Sequence, residues 1–64
     1  MNEHRSNLVD LALQVIDETP KAIRVTDGIR KEWLPLSQIE IAPHSENIRI
    51  VTMPEWLAKE KGLI

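Results

Sequence analysis

A mainly β fold, a small bent antiparallel sheet of four to five strands with one short C-terminal α-helix, is what this 64-residue chain predicts. Two runs of alternating apolar and polar residues meet at Asp27-Gly28 within KAIRVTDGIRKEWLPLSQIEI, and an Asp-Gly pair between such runs is a strong hairpin signal. Near the end, TMPEWLAKEKGLI carries helix start and stop signals. Thr52 and Glu55 have capping-box spacing, Pro54 falls in the first turn, Lys59 and Lys61 suit the negative end of the dipole, and Gly62 supplies a C-cap.

The elements follow in order. Residues 1–7 are polar and are expected to form a flexible tail, leaving 8–64 as one small domain. LVDLALQVIDET is ambiguous in period: Leu8, Leu11, Ala12, Val15 and Ile16 have helical spacing, yet Leu11, Leu13 and Val15 also alternate with their neighbours. A helix would end on Asp17 and Glu18, charges that oppose its dipole, with no glycine to follow. That weighs towards a strand, with the helix left open. Asp17 to Pro20 reads as a polar turn and Lys21 to Val25 as a second strand.

For the hairpin, a two-residue loop would pair Thr26 with Ile29 and mix apolar and charged residues on both faces. A three-residue loop with Gly28 left-handed instead pairs Val25 with Ile29, Arg24 with Arg30 and Lys21 with Trp33. This register gathers Ile23, Val25, Ile29 and Trp33 on a core face, and it is the expected one. Pro35 then breaks the strand, and Ser37 to Glu40 has the S-x-x-E spacing of a helical turn or corner. Residues 42–47 read as a surface loop and Asn47 to Thr52 as a further strand. Trp56 and Leu57 are expected to face the sheet with Leu63. This order of elements is that of a small, strongly bent antiparallel sheet, closest to an SH3-like barrel.

The strings KAIRV, EWLPLSQIEI and VTMPEWLAKEKGLI resemble those of a group of short uncharacterised proteins of phages, prophages and related mobile elements, over residues 18–64. The resemblance implies a bacterial or phage accessory protein in the cytoplasm. It also implies a strand before the Glu-Thr turn, and no active-site residue.

Composition narrows the function classes. The chain has no cysteine, so neither a disulfide nor a thiolate metal site is available, and so small a domain is left with core packing or self-association for its stability. A homodimer is therefore an open expectation. The N-terminus lacks signal-peptide features, and no apolar run is long enough for a membrane span. Eight basic against ten acidic residues disfavour binding to nucleic acid by net charge.

No motif predicts a catalytic site, metal site or cofactor. His4 and His44 lack a second ligand at metal spacing, and Asp10, Asp17, Glu18 and Asp27 fall where turns or exposed strand faces carry carboxylates anyway. Trp33 and Trp56 are expected in the core, as the chain has no other aromatic residue. The candidate site is a basic outer face, with Arg24 opposite Arg30, Arg49 joining from its own strand, Lys31 nearby and Glu32 offsetting part of the charge. Guanidinium groups there suit an anion or an acidic partner. The reading is a non-enzymatic interaction module that binds a protein partner. The alternative is a small nucleic-acid-binding barrel that uses the arginine face.

Overall fold

A computed structural model of the chain describes residues 7–64, so the expected tail at 1–7 lies outside the described residues but for Asn7. The elements are β1 (Leu8–Glu18), β2 (Ala22–Thr26), β3 (Lys31–Pro35), a 3-10 turn (Leu36–Gln38), β4 (Glu40–Pro43), β5 (Ile48–Pro54) and α1 (Glu55–Glu60). The five strands form one antiparallel sheet in the order β3-β2-β1-β5-β4. β3 and β4 are its two edges, and the sheet does not close into a barrel.

β1 resolves the helix-or-strand ambiguity as a strand of 11 residues, and the whole sheet hangs from it. Its first half, Leu8 to Gln14, pairs with β5, while Gln14 to Glu18 pairs with β2 on the other side. The two pairings overlap only at Gln14. A bulge between Val15 and Asp17 sits just past this crossover, and a bulge bends and twists its strand. The turn to β2 is fastened by Thr19: its N–H donates to the Ala22 carbonyl at 2.8 Å, and its hydroxyl accepts the Ala22 N–H at 3.0 Å. Asp17 and Glu18 belong to the strand rather than to the turn.

The core is aliphatic: Leu13, Ile23, Val25, Leu34, Val51, Met53, Leu57 and Ala58 are buried, with Val9, Leu11, Val15, Leu36, Ile39 and Leu63 packed against them. Directly opposed residues of an antiparallel pair share a face. The inner face therefore carries Leu13 and Val51 together with Val25, Ile23 and Leu34, and Leu57 and Ala58 of α1 complete the core.

The hairpin is the main correction to the sequence reading. Thr26 pairs with Lys31, Arg24 with Trp33 and Ile23 with Leu34, so the loop has four residues, Asp27 to Arg30. Gly28 is left-handed as expected, at φ +99°. The expected pairs of Val25 with Ile29, Arg24 with Arg30 and Lys21 with Trp33 do not form. The reason lies in Asp27, whose Oδ1 accepts the N–H groups of both Ile29 and Arg30 at 2.8 Å and so withdraws them from the ladder. Thr26 Oγ1 accepts the Gly28 N–H at 3.0 Å. Ile29 is thrown into solvent at 91% exposure. The slip relative to the expected register is odd in number, so β3 presents its opposite face: Leu34 enters the core and Trp33 leaves it.

The helix begins later than its capping box suggests. Pro54 occupies the N-cap position and no side chain caps the helix; Thr52 remains in β5 and donates its hydroxyl to Asp10 Oδ1 at 2.6 Å. The Glu55 N–H instead donates to the Asn7 carbonyl at 2.9 Å. Leu57 and Leu63 pack inward as expected, but Trp56 is 56% exposed. The end is a glycine cap: Gly62 has φ +73°, and the Leu63 N–H donates to the Ala58 carbonyl at 2.8 Å. The expected turn at Ser37 to Glu40 is a 3-10 turn one residue earlier, again without a side-chain cap.

Two predictions follow from this frame. Gly62→Ala is expected to lower stability by about 1–2 kcal/mol in urea denaturation, from the left-handed backbone alone. A Cβ there would meet the Arg30 Nε at 2.8 Å, but that is a side chain able to swing away. Arg30→Ala in the Gly62→Ala background should therefore recover little, and full recovery would show that the contact dominates instead.

The second prediction concerns acid. The N–H groups of Arg30 and Ile29 hold the exposed Asp27 carboxyl below its ordinary value of 3.8. A carboxyl lowered on folding stabilises the native state above its unfolded pKa, and that contribution fades as pH falls through the folded pKa. The stability gap between the native chain and Asp27→Ala should accordingly be full at neutral pH and shrink below pH 3.8. A gap independent of pH would contradict it.

Candidate functional site

The four basic residues expected on one face are divided by the observed register. Arg30 belongs to the hairpin loop and its guanidinium lies over Gly62 at the end of α1, where positive charge suits the helix's negative end. Arg49 lies opposite Leu13, on the core side of the sheet. Its Nη1 donates to the carbonyls of Ser45, Glu46 and Ile48 at 3.2–3.4 Å, pinning the loop between β4 and β5. Both have structural work. Glu32 is opposite Val25, on the face away from Arg24, and cannot offset it as expected.

Arg24 and Lys31 do share the outer face, and Trp33 joins them. One row across the strands runs Trp33, Arg24, Asp17, and the next runs Lys31, Thr26, Gln14, Ile48. α1 packs on the other side of the sheet, so nothing among the described residues covers this corner. Trp33 is 40% exposed, and the Arg24 guanidinium carbon stands 6.0 Å from its ring centroid, at the outer limit of a cation–π contact.

The pairing of these side chains is incomplete. Asp17 is the cross-strand neighbour of Arg24, yet its Oδ1 accepts the Glu18 N–H at 2.9 Å. Among the described residues no carboxylate forms an ion pair with Arg24 or Lys31, and the Arg24 Nε is buried without a hydrogen-bond partner. An unsatisfied buried donor on a charged group costs about 1–3 kcal/mol or more. Among the described residues the corner is thus a guanidinium near an exposed indole, beside an ammonium group with no carboxylate in an ion pair.

A different concavity, of about 220 Å³, lies where the 3-10 turn meets β4, β5 and the start of β1, lined by Leu8, Ser37, Gln38, Ile39, Glu40, Thr52 and Pro54. Among the described residues that line it, Glu40 is the sole ionisable group and has no acid–base companion. Among the described residues no three His, Asp or Glu side chains come together as a metal set, and His44 is an exposed loop residue. Among the described residues no helix is long and apolar enough to cross a membrane.

Sequence reasoning selected Arg24 and Lys31 but missed Trp33 as their companion. Alternation in KEWLP does group Trp33 with Lys31 and Pro35 against Glu32 and Leu34, but it leaves open which of the two faces is buried. Comparison of the chain with models of protein families, with curated proteins and with solved structures gives no match.

Proposed function

We propose that the protein is a non-enzymatic interaction module that binds a protein partner through the outer-face corner formed by Trp33, Arg24 and Lys31. One observation carries this reading: in a domain this small, a tryptophan stands 40% exposed on a sheet face that α1 does not cover, beside an arginine with an unsatisfied Nε. Tryptophan and arginine are enriched at interface hot spots, and the exposed indole offers a partner a large apolar surface to bury. The resemblance of residues 18–64 to short proteins of phages and prophages supports an accessory role for such a module.

The test is capture of partners from a bacterial extract by the native chain, Trp33→Ala and Trp56→Ala, each checked for folding by circular dichroism. Loss of the indole at a hot spot is expected to weaken capture by about tenfold or more, with Trp56→Ala close to native. Undiminished capture by Trp33→Ala would overturn the assignment. So would capture of DNA or RNA whose affinity falls steeply with salt.

A further inference from the structure

We infer that β3 accepts an acidic, extended peptide segment as a sixth strand, with acidic side chains over Lys31 and Trp33 and apolar side chains on the opposite face. This deepens the protein-binding reading above and rests on it. The backbone of the edge supports it first. The Leu36 N–H donates to the Lys21 carbonyl at 2.9 Å, which continues the β2–β3 ladder, so by strand alternation Glu32 and Leu34 also turn their backbone groups towards β2. Lys31 and Trp33 therefore direct both N–H and C=O away from the sheet, and Pro35 offers C=O alone. An added antiparallel strand can exchange hydrogen-bond pairs with two residues, the two whose side chains stand on the outer face.

Charge then selects the occupant. A residue placed opposite Lys31 or Trp33 projects onto the face that carries Lys31 and Arg24, where among the described residues neither cation has a carboxylate in an ion pair. The next residue of the incoming strand projects to the other face, beside Glu32 and Leu34, where a carboxylate would be repelled and an aliphatic side chain is favoured. The complement is a strand of alternating acidic and apolar residues. A second copy of this chain fits poorly, because pairing β3 with β3 brings two sets of Lys31 and Arg24 into one corner. Lys31 and Pro35 thus guard the edge against self-association and leave it open to an acidic strand.

The probe is an end-blocked peptide of about seven residues alternating valine and glutamate, long enough to span the edge. It is titrated into the native chain by nuclear magnetic resonance, beside an alternating valine and lysine peptide and an N-methylated copy of the acidic one. Saturable binding of the acidic peptide is expected, with shifts centred on Lys31 and Trp33 and slowed hydrogen exchange of their N–H groups. Arg24→Gln and Lys31→Gln should each weaken it about fivefold, as exposed ion pairs do. The lysine and N-methylated peptides should not bind there.

Absence of saturable binding by the acidic peptide, equal binding of the lysine peptide, equal binding of the N-methylated one, or dimerisation of the free chain through β3 would each overturn the inference. If it fails while Trp33→Ala still loses the captured partner, the protein-binding reading stands and only the partner's chemistry falls. If Trp33→Ala also keeps its partner, both fall.

Discussion

The Asp27 carboxylate governs the outward character of this domain. By accepting the N–H groups of Ile29 and Arg30 it makes a four-residue loop, and the loop length fixes which side of β3 meets the core. Because the side-chain period of a strand is two, the choice is all or none: either Trp33 packs inside and Leu34 faces water, or the reverse. With Leu34 opposite Ile23, the aliphatic core closes under α1 and the only large aromatic of the sheet is left on its free face beside Arg24.

The same logic explains why so short a chain needs no disulfide to build a sheet of five strands. β1 is divided between two partners, β5 along its first half and β2 along its second, so one strand organises both hairpins. The bulge after Val15 lets the chain turn between those pairings, and α1 then lies against β1 and β5 with Leu57 and Ala58 buried. Arg30 over Gly62 joins the loop between β2 and β3 to the end of the helix. The loop that sets the register also reaches the terminal cap.

Most of the architecture was legible in the sequence because it depends on local signals. Asp27-Gly28, Thr19-Pro20 and the Gly62 cap each act through a few neighbouring residues, and the two left-handed glycines lie where expected, while the turn before β2 starts later and the hairpin loop is longer than read. What was not legible depended on competition between local chemistry and burial. Alternation could not rank Trp33 against Leu34, as both are apolar and adjacent, and the capture of two N–H groups by Asp27 decided it. Thr52 shows the same competition: its spacing to Glu55 suits a cap, but as part of β5 it bonds to Asp10 across the ladder. The arginines were then misplaced by inheritance, since the pairing of Arg24 with Arg30 existed only in the wrong register.

The two sheet edges are not equivalent in length, charge or anchoring. β4 is four residues long, exposed along its length, and ends in Pro43, with Glu40 at its start, so it offers little ladder and no basic charge. β3 is anchored on its inner side by Leu34 in the core, which fixes its outward N–H and C=O groups in place before any partner arrives. Preorganised groups lose less entropy on binding than mobile ones. Lysine and proline at an edge usually serve to repel other strands, yet repulsion by charge is selective by sign. On the proposed reading, the charge that would repel a copy of this edge is the same charge that would attract an acidic strand.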